Sequence, residues 1–502
     1  MEIDLRKAAI HNLGCKVNSY EAEAMEQLLL DAGYTIVDFD GDEPADVYII
    51  NTCSVTNIAD RKSRQMLHKA KKLNPDAVVV AAGCYAQSDS AKLDEDSAVD
   101  IILGNNCKID IVTMLDEYFN NNTRHKETSE KLIDMSHEKH YENLKINKVN
   151  EHTRAYIKIQ DGCNQFCTYC IIPYLRGRIR SREILDITEE IVHLVAAGYK
   201  EFVLTGIHLS SYGMDNMNYN KVKDDEKKLY ALGKNCGSEE EPCTEEVSNV
   251  PENTLIDVIE AVNDIEGVER IRLGSLEPRI ITDDFMGRLS RLDKVCPHFH
   301  LSLQSGCDKT LRRMNRRYTT EEYLKGCEII RRYYKNPAIT TDVIVGFPGE
   351  SDEDFEVTKD FLRKVDFYEM HIFKYSRRKG TAADKMPDQI DEKIKTERSK
   401  ILLAEEKKMS ADYRKKFIGS ECDVLIEEKI QLDGKEYYTG YSRNYIKIVI
   451  PAENLEEGYK IQAKEENYQI ENKIYDVKIE KCISDEILLA SCVFNPVNIK
   501  TK

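Results

Sequence analysis

Features of membrane proteins, secreted proteins and proteins that coat nucleic acid are missing from this 502-residue sequence. No apolar run approaches the roughly 18 residues that span a bilayer. The first ten residues carry Glu2, Asp4, Arg6 and Lys7 where a signal peptide needs an apolar stretch, so we expect a cytoplasmic protein without membrane contact. Lys and Arg total 72 against 89 Asp and Glu, and this net charge of −17 excludes a surface that is basic throughout.

Tryptophan is absent and histidine numbers only eleven, whereas cysteine is abundant, with fifteen residues. Disulfide-dense scaffolds are short and secreted, so a cytoplasmic chain of this length is a poor candidate for that use of cysteine. In a reducing compartment, so many thiols indicate thiolate ligands for metal.

Residues 1–122 alternate short apolar runs with helical stretches. The apolar runs Ala8–Leu13, Val47–Asn51 and Val78–Ala82 are predicted to be buried strands. Because strands and helices alternate, we expect a doubly wound parallel sheet. The polar stretch that follows, residues 123–152, is interpreted as a linker.

Strand–helix alternation resumes between residues 153 and 376. The candidate strands are Tyr156–Gln160, Phe202–Thr205, Arg270–Gly274, His298–Leu303, Ile339–Val345 and Phe367–Phe373. Six β/α units predict an open (β/α)6 partial TIM barrel, with reactive groups at the C-terminal ends of its strands. An acidic segment at about 213–253, which contains Cys236 and Cys243, is interpreted as a surface insertion without assigned function.

The last third of the chain changes character twice. Residues 377–417 are charged and predicted to form a helical connector. Residues 418–492 contain short alternating runs such as Tyr445–Ile450, which predict a small antiparallel β-barrel. The fold class is therefore α/β with a C-terminal β-barrel.

The strongest chemical signal is Cys163-x-x-x-Cys167-x-x-Cys170, directly after the first strand of the partial barrel. Three closely spaced thiolates can hold three irons of a four-iron cluster and leave the fourth iron open. A structural zinc site normally has four ligands in two separated pairs, and the sequence offers no second pair. This spacing after a strand of a β/α repeat resembles the radical S-adenosylmethionine superfamily.

A second set of cysteines follows three predicted strands of the first domain. Cys15, Cys53 and Cys84 each lie just past the end of one strand. Neighbouring parallel strands end at one edge of a sheet, so the three thiols are expected to converge there. Spacing alone leaves two interpretations open, a second iron–sulfur cluster or ordinary buried core cysteines.

Six motifs resemble the methylthiotransferase family along nearly the whole chain, apart from the acidic insertion. They are Leu13-Gly14-Cys15-Lys16-Val17-Asn18, Asn51-Thr52-Cys53, Ala82-Gly83-Cys84, Thr205-Gly206-Ile207-His208-Leu209, His300-Leu301-Ser302-Leu303-Gln304-Ser305-Gly306 and Gly346-Phe347-Pro348-Gly349-Glu350. The first and fourth resemble the branch that acts on tRNA N6-threonylcarbamoyladenosine. The isopentenyladenosine and ribosomal-protein branches carry different residues there.

The resemblance implies two four-iron clusters, with all six cysteines as catalytic ligands, and two molecules of S-adenosylmethionine per turnover. One molecule would methylate sulfur at the Cys15, Cys53 and Cys84 cluster. The other would be cleaved at the Cys163, Cys167 and Cys170 cluster to a radical that attacks adenine C2. The expected partners are the tRNA anticodon loop, an electron donor such as flavodoxin or ferredoxin, and a sulfur source, and we expect a monomer.

Five further residues are candidates for binding the cofactor. Tyr169 matches the aromatic position that the superfamily places beside the adenine. Gly346 follows a strand and can let backbone approach the adenosyl group. Gln304 and Ser305 end the fourth barrel strand, and Gly206 lies where the superfamily usually has Gly-Gly-Glu, although this chain reads Thr205-Gly206-Ile207.

Candidate RNA contacts lie in two arginine runs and in the C-terminal barrel. The arginines are Arg176, Arg178, Arg180, Arg312 and Arg316, which flank the expected reactive face and are predicted to contact phosphates. The C-terminal barrel resembles a TRAM domain, an RNA-binding module, and Tyr441, Arg443 and Tyr445 are predicted to stack on bases. Solvated surface helices are the plainer interpretation of such charged runs.

The sequence therefore predicts methylthiolation of C2 of N6-threonylcarbamoyladenosine at position 37 of tRNA. One alternative within the family is methylthiolation of isopentenyladenosine or of a ribosomal protein. An alternative from another class is an iron–sulfur protein that binds RNA or senses redox state without turnover.

Overall fold

The computed structural model describes residues 6–121, 132–147, 153–216, 254–456 and 470–493. It contains a five-stranded sheet, an open barrel made of two sheets, and a closed C-terminal barrel. The α/β fold class predicted from the sequence is confirmed. Most of the predicted acidic insertion, including Cys236 and Cys243, lies outside the described residues.

The first part of the chain forms a parallel sheet covered by helices on both faces. Its strands are β1 (Lys7–Asn12), β2 (Thr35–Ile36), β3 (Val47–Thr52), β4 (Val78–Gly83) and β5 (Ile101–Leu103), in the order β2-β1-β3-β4-β5. The helices are α1 (Lys16–Asp31), α2 (Asn57–Leu73), α3 (Cys84–Ser88), α4 (Ser90–Asp94) and α5 (Ile111–Asn121). β3 is buried throughout, with Tyr48 and Ile50 in the apolar core on one face and Val47 and Ile49 in that on the other. Such two-sided burial is typical of a doubly wound parallel sheet.

The central part forms the open barrel. Its strands are β6 (Arg154–Asp161), β7 (Arg180–Ser181), β8 (Glu201–Gly206), β9 (Arg270–Leu273), β10 (His298–His300), β11 (Ala338–Val345) and β12 (Glu369–Lys374). The strand order is β7-β6-β8-β9 in one sheet and β10-β11-β12 in the other. Two parallel bridges, Ile271 to Val295 and Leu276 to Leu301, continue the barrel between the sheets.

Helices cover the outside of this barrel. They are α6 (Ile172–Leu175), α7 (Ile184–Ala196), α8 (Leu255–Asn263), α9 (Asp283–Leu289), α10 (Asp308–Arg313), α11 (Thr320–Tyr333), α12 (Asp352–Val365) and the connector α13 (Glu392–Lys415). In β6, Ala155, Ile157 and Ile159 belong to the apolar core that includes α7. Since side chains alternate along a strand, Arg154 and Lys158 face the interior of the barrel.

The C-terminal part is a closed five-stranded barrel. Its strands are β13 (Glu421–Leu432), β14 (Lys435–Ser442), β15 (Lys447–Pro451), β16 (Ile474–Cys482) and β17 (Leu488–Cys492). The pairings are antiparallel except that β15 runs parallel to β17. Ala338 and Tyr368, where β11 and β12 begin, pack into its core, so this barrel closes the N-terminal end of the central barrel.

Candidate functional site

The loop after β6 brings together the Cys163, Cys167 and Cys170 thiols. The Cys170 thiol interacts electrostatically with both of the others. Gly162 has a φ of +70°, and a β-carbon there would lie 1.8 Å from the Arg178 carbonyl oxygen, so this position requires glycine. The tight turn at Gly162 therefore fixes where the loop starts.

Residues at the end of α10 and just after it hold the other side of this thiol loop. The Thr168 hydroxyl donates to the Arg313 carbonyl over 2.9 Å, and the Thr168 amide donates to the Met314 carbonyl over 3.0 Å. The Arg316 guanidinium donates to Cys167 Sγ over 3.2 Å. The loop is thus anchored to a different β/α unit of the barrel.

The second set of thiols lies at one edge of the N-terminal sheet. In the strand register, Asn12 pairs with Asn51 and Thr52 pairs with Gly83, so β1, β3 and β4 end level with one another. Cys53 and Cys84 follow directly, and the thiols of Cys15, Cys53 and Cys84 interact electrostatically. The register agrees with the expected convergence of the three thiols.

Both sets of thiols consist of free cysteines. In each set burial raises the pKa of a thiol to about 11, that of Cys53 in the N-terminal set and that of Cys163 in the barrel set. Buried thiols of this kind lose their protons when a metal ion compensates the negative charge. The donor sets therefore fit iron–sulfur clusters, and each offers three ligands.

A buried segment connects the two sets of thiols. The Asn105 side chain donates to Cys84 Sγ over 3.8 Å and to the carbonyl of Leu175, five residues after Cys170, over 2.9 Å. Arg176 donates over 3.2 Å to the Asn18 side-chain oxygen, which also accepts from Cys15 Sγ over 3.4 Å. The two loops are therefore coupled through contacts between the sheet edge and the barrel.

Arg176 belongs to a buried network of charges between the two parts of the chain. It binds Glu21 through two N–H groups, over 2.8 and 3.0 Å, and Asp161 over 3.2 Å. Lys158 binds the same two carboxylates over 2.8 and 2.7 Å. These cations hold the pKa of Glu21 and of Asp161 below the usual range despite burial, so both carboxylates are ionised.

This network corrects the RNA-binding prediction for Arg176 and Arg180. Both side chains are buried, and Arg180 donates to the carbonyls of Arg176 and Arg178. Phosphate contact through these two residues is wrong, because both guanidinium groups are buried and already face carboxylates, Asp161 for both and Glu21 for Arg176. Arg178 is exposed, with its guanidinium 4.5 Å from the Phe166 ring centre, and its phosphate contact stays a prediction.

Arg316 binds groups beside the thiol loop. Its three guanidinium nitrogens donate to the Tyr318 hydroxyl, to Cys167 Sγ and to the Ser302 carbonyl. Three of the five N–H donors of Arg316 are therefore used beside the thiol loop, and its phosphate contact stays a prediction. Arg312 is exposed, and its phosphate contact remains a prediction.

Two of the candidate cofactor contacts are corrected by the structure. Ser305 is fully buried, and its hydroxyl faces Thr358 of α12 over 3.4 Å, away from the barrel interior. At Gly346, the space where a β-carbon would stand is filled by Lys395, 2.3 Å away. Neither the Ser305 side chain nor open space over Gly346 is therefore available to a cofactor.

The other cofactor candidates lie close to the thiol loop or the barrel interior. Tyr169 packs edge-on against Phe347, with ring centres 6.5 Å apart. Gly206, at the end of β8, packs closely on Gln160. Gln304 has a φ of +72°, which is costly for a residue with a side chain, and its side chain bonds Asp342. Cofactor binding by these three residues stays a prediction.

Two residues of the C-terminal barrel that were predicted to contact RNA bind the central barrel instead. The Tyr445 hydroxyl accepts from Arg154 over 2.7 Å, and the Arg272 guanidinium lies 4.7 Å from the Tyr445 ring centre. Arg443 donates to the Val295 carbonyl over 3.1 Å. Base stacking is therefore wrong for Tyr445 and Arg443, whereas Tyr441, half-buried on top of Tyr445, stays a prediction.

The barrel interior contains polar residues that were not singled out from the sequence. His300, Asp342 and His371 place their ligand atoms within 4.8 Å of one another, as a metal-binding group would. Lys16, next to Cys15, and His298 lie near them. Their positions on alternating strand residues were a usable signal, because polar side chains on the inner face of a barrel strand point to the reaction space.

Comparison with known proteins gives two family matches. Residues 7–104 match "Uncharacterized protein family UPF0004", and residues 157–362 match the "Radical SAM superfamily". The Threonylcarbamoyladenosine tRNA methylthiotransferase MtaB of Bacillus subtilis (strain 168) is 38% identical over 442 residues, covering 88% of this chain and 89% of that protein. The chain belongs to the MtaB-type methylthiotransferase family.

Other members extend the match to nearly complete chains. The MtaB of Aquifex aeolicus (strain VF5) is 37% identical, over 90% of this chain and 97% of its own. A sibling, the tRNA-2-methylthio-N(6)-dimethylallyladenosine synthase of Finegoldia magna (strain ATCC 29328 / DSM 20472 / WAL 2508), is 34% identical over 86% of each chain. As a radical SAM enzyme, the protein uses S-adenosylmethionine and an iron–sulfur cluster. Among the described residues, no helix has the length and apolar character needed to cross a bilayer.

Proposed function

We propose that this enzyme adds a methylthio group to C2 of N6-threonylcarbamoyladenosine at position 37 of tRNA. The observation that carries the proposal is the pairing of two three-thiol sets across one interface, through Asn105, Leu175 and Arg176. The names of the MtaB relatives support the choice of nucleoside. Methylthiolation of the dimethylallyl nucleoside is the second candidate, because a sibling with that name also matches.

In this proposal each set of cysteines holds one four-iron cluster. Cys163, Cys167 and Cys170 hold the cluster that binds S-adenosylmethionine, and Cys15, Cys53 and Cys84 hold the second. The chemistry that these groups supply when bound is radical removal of hydrogen from C2, which has no acidic proton, and delivery of methylated sulfur, with two molecules of S-adenosylmethionine used per turnover.

The protein's own side chains prepare this chemistry by donating hydrogen bonds and excluding water. Arg316 donates to Cys167 and Asn105 to Cys84, so each of these two sulfur atoms has a hydrogen-bond donor beside it. The C-terminal barrel closes the N-terminal end of the central barrel through Arg272, which donates to the Ser442 and Arg443 carbonyls over 2.8 Å each. Substrate therefore enters from the side of the thiol loops.

The remaining assignments belong to the same proposal. Residues 1–122, 153–376 and 418–492 act as the sulfur-donating, radical-generating and TRAM-like domains, joined by 123–152 and 377–417. Arg178, Arg312 and Tyr441 contact the anticodon stem–loop. A flavodoxin or ferredoxin supplies electrons to a monomer in the cytoplasm, and a separate source supplies sulfur.

The test compares nucleosides after anaerobic turnover. Reconstituted protein is given S-adenosylmethionine, sulfide as the sulfur source, a reductant and an anticodon stem–loop carrying either threonylcarbamoyladenosine or dimethylallyladenosine. Mass spectrometry should find the methylthio product on the first stem–loop. A product only on the second would establish the sibling reaction, and no 5′-deoxyadenosine at all would contradict radical chemistry.

Two cysteine variants separate the proposed cluster roles. Cys15→Ala should still form 5′-deoxyadenosine but lose the methylthio product, because the radical cluster keeps its ligands. Cys163→Ala should lose both. Full product formation by Cys15→Ala would contradict the role of the N-terminal thiols.

A further inference from the structure

A group of polar side chains inside the central barrel is not used by the clusters. We call Lys16, His298, His300, Asp342 and His371 the lumen cluster. The two histidines of β10 are two residues apart and point to the same side, while Asp342 of β11 pairs in register with His371 of β12. The lumen cluster therefore combines residues from three adjacent strands with the first residue of α1.

Asp342 is the centre of a hydrogen-bonded group. His300 Nε2 lies 3.3 Å from its carboxylate, and the Gln304 side chain also bonds it. The His300 and His371 rings stack with centres 5.8 Å apart, and His300 Nδ1 contacts the Thr340 hydroxyl. The negative charge of Asp342 is thus shared among neighbours on its own sheet.

Lys16 differs from the other cations of this region because it has no carboxylate partner. Among the described residues, no carboxylate forms an ion pair or hydrogen bond with its ammonium group, whereas Arg154 and Arg272 both pair with Glu201, over 3.1 and 2.7 Å. Lys16 is solvent-accessible, yet burial is the main cause that lowers its pKa. The Lys16 ammonium is therefore accessible to a ligand that enters the barrel interior.

Two groups of the lumen cluster are available to a ligand. The Lys16 ammonium is accessible and has no carboxylate partner among the described residues, and it lies in a region that also contains Arg272, Arg154 and Asp342. His298 adds a ring nitrogen, Nδ1, that is buried without a hydrogen-bond partner among the described residues. A cation without a counterion beside a ring nitrogen without a partner suits a ligand that carries a carboxylate and further hydrogen-bonding groups.

We propose that the lumen cluster binds the substituent on N6 of the target adenosine, and that Lys16 binds the carboxylate of this substituent. This inference rests on the proposed function and explains how its two candidate nucleosides are told apart. The threonylcarbamoyl group carries a carboxylate, a hydroxyl and a urea, which satisfy polar partners in the barrel interior. The dimethylallyl group is a hydrocarbon and leaves Lys16 and the histidines desolvated without partners, which is unfavourable.

A double-substitution experiment tests this inference by changing Lys16 in the protein and the carboxylate in the ligand. Wild-type holoenzyme and Lys16→Gln are titrated with two anticodon stem–loops, one carrying the threonylcarbamoyl carboxylate and the other the corresponding carboxamide. A hydrogen bond to a charged group contributes about 1.5–3 kcal/mol, so the wild type should bind the carboxylate roughly 10- to 150-fold more tightly than the carboxamide. Lys16→Gln should bind both stem–loops with similar affinity, and Lys16→Arg should recover part of the preference.

Lys72→Gln is the matched control. Lys72 is exposed in the last turn of α2, at the edge of the sheet opposite the thiols, so its substitution removes the same charge from the surface. It should keep the wild-type preference for the carboxylate. Iron content verifies that each variant keeps its clusters.

Three results would overturn the assignment of Lys16. They are an unchanged carboxylate preference in Lys16→Gln, an equal loss of affinity for both stem–loops, and a divalent metal bound stoichiometrically at His300, Asp342 and His371 beyond the cluster iron. If the wild type binds the carboxylate stem–loop preferentially but never methylthiolates it, the proposed function fails while the binding assignment stands.

Discussion

Replacing Glu21 by Gln is the most direct way to test whether the buried charges hold the two thiol-bearing parts together. Glu21 accepts from Arg176 over 2.8 and 3.0 Å and from Lys158 over 2.8 Å, and it pairs with Lys108 over 3.2 Å. Its own side chain and all three partners are at most 1% exposed. A glutamine keeps one acceptor oxygen, turns a donor towards the cations and removes the negative charge.

The expected cost follows from leaving buried cations without their counterion. Removing one partner of a buried ion pair costs about 3–5 kcal/mol, because the remaining charge stays desolvated. For a cooperative unit of roughly 150–250 residues this corresponds to a fall in melting temperature of about 6–20 °C. Anaerobic thermal unfolding of the holoprotein, followed by circular dichroism, measures the fall.

Glu23 supplies a matched control on the same helix. Its carboxyl has an oxygen with no hydrogen-bond partner among the described residues, and burial, followed by Glu26 and Glu190, raises its pKa to about 8. At pH 7 this carboxyl is largely protonated in the folded protein but ionised in the unfolded chain, so Glu23→Gln removes the cost of taking up a proton on folding and should raise the melting temperature rather than lower it. A melting temperature of Glu21→Gln equal to that of Glu23→Gln would refute the reasoning about the network.

Three further outcomes follow from single contacts. Gly162→Ala should prevent assembly of the radical cluster, seen as a loss of about four irons per chain, because its β-carbon would collide with the Arg178 carbonyl. Glu23→Gln should remove a pH dependence of the free energy of unfolding. In the wild type the folded-state pKa near 8 lies above the unfolded value, so this free energy falls as the pH rises from about 4.5 to 8. A Glu23→Gln variant that keeps this slope would contradict the assignment. Glu201→Gln should lower the free energy of unfolding, measured with denaturant, by about 3–5 kcal/mol, because Arg154, Arg270 and Arg272 share this carboxylate. A change below about 1 kcal/mol would show that the three arginines do not depend on Glu201.

The parallel strands and the convergence of the thiols could be predicted because both depend on local sequence. Runs such as Val78–Gly83 are apolar at every position, as a strand buried on both faces must be. Once the strands are parallel, residues after their C-terminal ends meet at one edge, which places Cys53 and Cys84 together without knowledge of side-chain packing. The spacing of Cys163, Cys167 and Cys170 is local in the same way.

The roles of the arginines could not be predicted, because a charged run has the same local sequence whether it faces water or distant carboxylates. Arg176 pairs with Glu21, 155 positions earlier, and Arg182 pairs with Glu190 from the next helix. The same limit applied to Tyr445, whose hydroxyl accepts from Arg154 at a separation of 291 positions. Glu21 and Tyr445 are brought close to their arginines only by packing between domains, whereas Glu190 reaches Arg182 within the central barrel.

The buried Arg176 explains how an acidic chain can bring its two sets of three thiols together. In the proposed function each set carries negative charge as thiolates, and Arg176 interacts electrostatically with the Cys84 thiol while it holds Glu21 and Asp161. Positive charge that is buried beside the thiols stabilises the ligated state whatever the ionic strength, since salt screens buried groups only weakly. In the proposed function the buried Arg176 therefore serves the thiol sites, and contact with tRNA falls to exposed cations such as Arg178 and Arg312.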